Sequence, residues 1–159
     1  MGYTTDFTGE FKITPQLKTA DKEFLTKLST SRRMKRCVGP EYGIEGEFYV
    51  AGADDDNFGQ EDKTGIIDYN TPPRTQPGLW CQWTPTEEGD ALVWDGGEKF
   101  YNYVGWLQYL IIWLKERGYE VNGKVRWAGE SSGDSGVILV KNNVIKAKDD
   151  KITNELDDE

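Results

Sequence analysis

An α+β fold, an antiparallel sheet with two helices packed on one face, is what this sequence predicts, and three observations predict it. Two segments place apolar residues at three- and four-residue steps, one long and one short, as helices that cover a sheet do. The segments around them alternate apolar and polar residues or end on turn residues, as strands do. The resulting order is strand, helix, four strands, helix, then two to four strands.

Taken in order, Tyr3 to Thr14 alternates around Phe7, Phe11 and Ile13 and stops at Pro15, a first strand. Thr19 caps a helix through about Ser31, with Phe24, Leu25 and Leu28 as its apolar face. Arg32, Arg33, Lys35 and Arg36 then form a basic cluster with two readings: cations that suit a helix C-terminus, or a phosphate- or carboxylate-binding group. Gly46 to Gly52 reads as a strand with Phe48 and Val50 on one face, and Ile66 to Tyr69 as a shorter one. Three prolines stiffen the loop from Asn70 to Gly78, after which Leu79–Pro85 and Ala91–Trp94 read as a hairpin.

The long helix spans Trp94 to Gly118: Asp95 stands at the N-cap, Glu98 completes a capping box and Gly118 is the C′ glycine. Phe100, Val104, Leu107, Leu110, Ile111 and Leu114 form its core stripe. A second row of Trp106, Tyr109 and Trp113 is predicted to be mixed, with Trp106 buried and Trp113 partly exposed, which leaves room for a homo-oligomer or a partner there. Tyr119–Gly129 and Gly136–Lys146 add antiparallel pairings, with tight turns expected at Asn122-Gly123 and Asn142-Asn143.

Composition excludes several functions. The chain has 159 residues, enough for one domain, taken as 1–147 with an acidic tail at 148–159. It contains no histidine, which removes histidine-based triads and most zinc sites. Cys37 and Cys81 fit no metal or redox spacing and read as free thiols. No phosphate-binding loop, nucleophile elbow or dinucleotide fingerprint is present, so no cofactor is expected. No signal peptide or bilayer-length apolar run is read, so a cytoplasmic protein without membrane contact is expected. Of the net charge of −9, the five acids and no base of Ala53 to Asp62 give −5, and the six acids and three lysines of Lys146 to Glu159 give −3. Both segments read first as solvated surface, and direct nucleic-acid binding is not expected. The acidic loop lacks the glycine and glutamate of a calcium loop, and no metal site is expected.

Candidate ligand contacts gather between Asp68 and Trp83. Asp68, Tyr69, Asn70, Arg74 and Gln76 offer a carboxylate, amides and a guanidinium beside the flat faces of Trp80 and Trp83. Alternation places Trp80 and Gln82 on one face of that segment and Trp83 on the other, which favours Trp80 and Gln82 as site-facing, while Arg32 and Arg33 supply phosphate partners. The glycines of Asp95-Gly96-Gly97-Glu98 offer a weak anion site, and Asp68, Asp95 or Glu98 could pair as acid and base.

The blocks GYTTDF (Gly2 to Phe7), RRMKR (Arg32 to Arg36), IDYNTPPRTQPGLWCQW (Ile67 to Trp83), WDGGEKFYNYVGWLQYLI (Trp94 to Ile111) and GYEVNGKVRWAGE (Gly118 to Glu130) resemble a family of small proteins from tailed phages and bacterial genomes. The resemblance covers most of the chain except the acidic loop and tail, and implies a phage-linked setting in a bacterial host cell with a site near these blocks. The resulting expectation is a non-enzymatic binding protein, a counter-defence factor that sequesters a nucleotide-like small molecule or blocks a host defence protein. The alternatives are a carboxylate-dependent hydrolase or transferase acting on a nucleotide or glycan, and an acidic protein that occupies a basic nucleic-acid groove.

Overall fold

The computed structural model describes residues 4–51, 53, 57–97, 100–131 and 133–149. Tyr3, the acids Asp54 to Asp56, Glu98 with its capping box, and the tail from residue 150 lie outside the described residues. Six strands form one antiparallel sheet: β1 (Thr5–Thr14), β4 (Trp83–Pro85), β5 (Ala91–Trp94), β6 (Glu120–Gly129), β7 (Ser135–Lys141) and β8 (Val144–Asp149), in the order β4-β5-β1-β6-β7-β8. Two shorter strands, β2 (Lys35–Arg36) and β3 (Ile66–Asp68), pair apart from it. The helices are α1 (Thr19–Ser29) and α2 (Tyr103–Glu116). The fold is α+β, as the sequence predicts. Strand β8 runs through Lys148 and Asp149, residues that the sequence assigns to the tail.

The helices meet the inward side chains of the sheet in one core. Phe7, Phe11 and Ile13 of β1, Val121, Val125 and Trp127 of β6, and Ile138 and Val140 of β7 are all buried. Leu25 and Leu28 of α1 and Leu107, Leu110, Ile111 and Leu114 of α2 close over them. Trp83 is 1 % exposed and is surrounded by aromatic rings, with Phe7, Phe11 and Phe100 at centroid distances of 5.2, 5.4 and 5.2 Å. Its Nε1 donates to the carbonyl of Tyr103 at 2.8 Å, which fixes the start of α2 against β4.

Several elements depart from the sequence reading, each for a local reason. Helix α2 starts at Tyr103 rather than near Asp95, because Asn102 takes a left-handed conformation (φ 57°) and no helix can propagate back through it. The Asp95 carboxylate instead accepts the N–H of Gly97 at 2.8 Å, closing a local turn. The other end is as expected: Gly118 (φ 90°) donates to the carbonyl of Lys115 and Tyr119 to that of Leu114, the paired bonds of a Schellman end. Lys18, not Thr19, stands at the N-cap of α1.

Gly46 to Ala51 is not a strand, and Gly52 lies outside the described residues. Gly43, Glu45 and Gly46 all have positive φ, which breaks the extended run into 3-10 turns and points Glu47 inward. The Leu79–Pro85 strand shortens to β4. The Asn122-Gly123 pair is no turn but lies inside β6, opposite Phe11, where a Cβ on Gly123 would stand 2.5 Å from the carbonyl oxygen of Glu10. The glycine there serves close approach of neighbouring backbone. Asn142 and Asn143, with φ 50° and 70°, do form the predicted β7–β8 turn.

Trp113 is 7 % exposed, against the mixed pattern expected of the aromatic row. It stacks on Phe24 at 5.1 Å and carries the Arg117 guanidinium 3.9 Å above its ring. Helix α1 and the end of α2 cover it; Trp106 is fully buried and Tyr109 half-buried. No helix among the described residues is long and apolar enough to cross a membrane.

The excursion from 38 to 64 leaves and re-enters at β2 and β3, where Arg36 pairs with Ile66 and the N–H of Cys37 donates to the carbonyl of Gly65 at 2.7 Å. Asp62 fastens its returning arm: Thr64 Oγ1 and Tyr49 OH each donate to its carboxylate at 2.6 Å, holding the acid down to about 2. Because this folded pKa lies below the unfolded value of about 3.9, the contact stabilises the fold above pH 4 and is lost as pH falls through 2. Urea titrations should therefore give an unfolding free energy that declines between pH 4 and 2, with a shallower decline for Asp62→Asn. Parallel declines for the two proteins would show that another carboxylate is responsible.

Candidate functional site

The ten residues that the sequence nominates divide into an internal group and a surface group. Arg33 is internal. It is 2 % exposed, and its guanidinium donates to Ser31 Oγ (2.8 Å), the carbonyls of Glu47 (3.0 Å) and Gly46 (3.3 Å), and Gln76 Oε1 (3.4 Å). Burial lowers this group to about 10, so it remains charged at neutral pH. Gln76 is buried beside it and donates to the Glu47 carbonyl at 2.7 Å and to Tyr109 OH at 3.1 Å. Tyr109 OH and Thr75 Oγ1 donate in turn to Glu47 Oε1. Burial raises the phenol of Tyr109 well above its ordinary range. This network ties the 38–64 excursion and the proline loop to α2 through the donors and acceptors that a ligand would need.

The other nominated residues of the internal group hold the core. Trp83 is in it, as the alternation requires. Gln82 is buried rather than site-facing and accepts the indole N–H of Trp94 at 3.2 Å. Cys81, between them, is buried, and burial pushes its thiol up to about 12. The basic cluster is similarly occupied. Arg36 donates to the carbonyls of Thr64 (2.8 Å) and Gly59 (3.3 Å), Lys35 pairs with Glu45 at 3.6 Å, and the cavity enclosed by Ser31, Arg33, Arg36 and Gly59 measures about 10 Å³, room for one water at most. Arg74 is exposed and pairs with Glu45 at 3.4 Å.

The surface group is brought together. Arg32 donates through Nε to the carbonyl of Tyr69 (2.9 Å) and through Nη2 to Asn70 Oδ1 (3.0 Å), and its Cζ lies 5.7 Å from the ring centre of Trp80. Asp68 shapes this corner: its oxygens accept the Asn70 N–H and the Thr71 hydroxyl, both at 2.8 Å, and these bonds hold its carboxyl below the usual range. By contrast, burial raises the Asp95 carboxyl. No cluster of three metal-ligating side chains occurs among the described residues.

Asn70 and Trp80 line a cleft of about 270 Å³. Pro72, Pro77, Gly78 and Leu79 form its loop wall, and Tyr101 and Asn102 its helix wall. Asn102 fixes the two walls together, since its Nδ2 donates to the Pro77 carbonyl at 2.8 Å and its carbonyl accepts the first helical N–H, from Trp106, at 2.9 Å. Pro77 also seats on α2 at Gly105, where a Cβ would lie 3.3 Å from its own Cβ. Trp106 Nε1 is the one buried side-chain nitrogen or oxygen without a partner among the described residues, and it lies beside Gly78. An unmet N–H of this kind costs roughly 1–3 kcal/mol.

Tyr101 and Asn102 escape the sequence reading because it places them inside the helix. The signal that would have found them is in the chain: Gly96 and Gly97 are poor in a helix interior, whereas Asn102 is a residue type that favours helix starts. The cleft joins aromatic faces (Trp80, Tyr101) and amides (Asn70, Asn102), which can hold a flat ring and hydrogen-bond its edge, and Arg32 stands beside it against Asn70 and Trp80. Comparison of the chain with protein-family models, with curated proteins and with solved structures finds no match.

Proposed function

We propose that this chain is a non-enzymatic binding protein that takes a nucleotide-like ligand in the cleft between the Pro72–Trp80 loop and the start of α2. The observation that carries the reading is the convergence of Trp80 and Asn70 with Tyr101 and Asn102 around one cavity of ligand size, with Arg32 held beside it through Asn70 and the Trp80 ring. The base stacks on the exposed aromatic surface, the amides contact its edge, and the remaining N–H groups of Arg32 receive the phosphate. The resemblance to phage proteins supports a setting in which the ligand is a signal of host defence and its sequestration is the function.

Calorimetric titration with cyclic nucleotides, ADP-ribose and simple nucleotides tests this. At least one should bind, and Trp80→Ala should weaken it at least tenfold, since stacking a base on an aromatic side chain contributes roughly 1–3 kcal/mol. Absence of heat with the whole panel, or an affinity indifferent to Trp80→Ala, would remove the reading.

A further inference from the structure

Leu79 and Trp80 of the cleft lead into β4 at one edge of the sheet, and β8 forms the other edge. Among the described residues β8 pairs with β7 alone. The two-residue turn at Asn142-Asn143 makes Lys141 and Val144 a hydrogen-bonded pair, and antiparallel alternation then directs the N–H and C=O groups of Val144, Lys146 and Lys148 to β7. Those of Ile145 and Ala147 point away from the sheet, where no described residue meets them. A row of unpaired backbone groups of this kind is a template for another strand.

The side chains beside the edge select which strand. The helices cover the face that carries Ile138 and Val140, so Leu139, Lys141, Val144 and Lys146 stand on the uncovered face. Lys146 is opposite Leu139, which is opposite Lys124 of β6, and Val137 beside them is opposite Arg126. Lys124, Arg126, Lys141 and Lys146 are all exposed, so cations gather on one face of a chain whose net charge is −9. The carboxylates of that face, Asp6, Glu10 and Glu120, belong to β1 and β6 rather than to the edge. A hollow of about 220 Å³, lined by Leu139, Lys141, Asn142, Val144 and Lys146, lies along the hairpin, and Val144 in it is 60 % exposed.

We propose that the open edge of β8 receives an extended acidic segment of a partner protein as an added strand. Its backbone meets Ile145 and Ala147, an acidic side chain stands opposite Lys146, and the next side chain on the same face is apolar and stands opposite Val144. Two copies of β8 joined edge to edge would bring their lysines together, which selects against self-pairing. Nucleic acid fits this face less well, because the uncovered apolar side chains of β7 and β8 are aliphatic, Val137, Leu139 and Val144, with no ring among them to stack a base. The edge lies on the opposite side of the sheet from the cleft, and its occupation does not depend on what the cleft binds.

The full chain is titrated with a short capped peptide that carries glutamate and valine on one face and threonine between them, and with the same peptide carrying lysine for glutamate. The acidic peptide should bind at least tenfold more tightly than the basic one, weaken as salt is raised, and slow hydrogen exchange at the amides of Ile145 and Ala147. Lys146→Glu, at an exposed position, should fold as the parent does and reverse the preference. Ala147→Pro removes an outward N–H without removing a bond to β7, so it should keep the sheet and lose the peptide. Failure of the acidic peptide to bind, equal affinity for the two peptides, or binding that leaves exchange at Ile145 and Ala147 unchanged would overturn strand addition. So would undiminished binding by a folded Ala147→Pro, or an unchanged preference in a folded Lys146→Glu. A thymidine oligonucleotide of equal charge that binds more tightly than the acidic peptide would show the face to be a nucleic-acid surface instead.

Discussion

Replacing Arg33 by methionine is expected to lower the unfolding free energy by about 3–5 kcal/mol, the usual result of removing one charge from a buried, hydrogen-bonded set. The reason is what the substitution leaves behind. The buried carbonyls of Gly46 and Glu47, Gln76 Oε1 and Ser31 Oγ lose a donor, and the Glu47 carboxylate loses a favourable cation. Removing both charges should be milder than removing one. In urea denaturation, Arg33→Met with Glu47→Gln should fall short of the sum of the two single changes, giving a favourable coupling of about 0.5–3 kcal/mol. A single Arg33→Met loss of less than about 1 kcal/mol, with no coupling, would show that the network is not what holds the two loops to α2.

Trp113→Ala is the second large effect. With the ring stacked on Phe24 and covered by Arg117, its removal should cost about 3–5 kcal/mol in thermal or urea unfolding and leave the sedimentation coefficient of the folded protein unchanged. Ile112, the preceding residue, is 50 % exposed, and Ile112→Ala should change stability by no more than about 0.5 kcal/mol. If Trp113→Ala instead dissociated an oligomer without loss of stability, the tryptophan would belong to an interface and not to the core.

The body of α2 was legible because an apolar period sustained over four turns fits a helix and no strand, and its end because Gly118 supplies a conformation other residues avoid. Its beginning was read too early, because Asp95 and Glu98 imitate a capping box that outweighs the start signal of Asn102, and the bond from Asn102 to the Pro77 carbonyl joins residues distant in sequence. The two asparagine dipeptides make the same point: Asn142-Asn143 turns the chain, while Asn122-Gly123 lies in the middle of the sheet, and only the neighbouring backbone of β1 distinguishes them. In the site, Trp80, Asn70 and Arg32 could be nominated from residue type and proximity. Arg32 and Arg33 could not be separated, because they sit in irregular chain with no period to say which faces inward. Phe48 and Val50 alternate as a strand would, yet both pack on the core from a turn.

The adjacency of Cys37 and Gly65 gives the excursion between them a modular character. It enters and leaves at one point, and its described residues pair with no strand of the six-stranded sheet, so its length can change without moving a single register of that sheet. What it cannot lose is Glu47, which enters the interior as a stopper does, supplying the carbonyl to which Arg33 donates and the carboxylate that accepts from Tyr109. A shortened chain that kept the sheet but lost the stopper would leave the Arg33 guanidinium with only Ser31 and Gln76 as partners. In this architecture, then, loss of the stopper from the appendage and loss of a strong cation's partners are the same event.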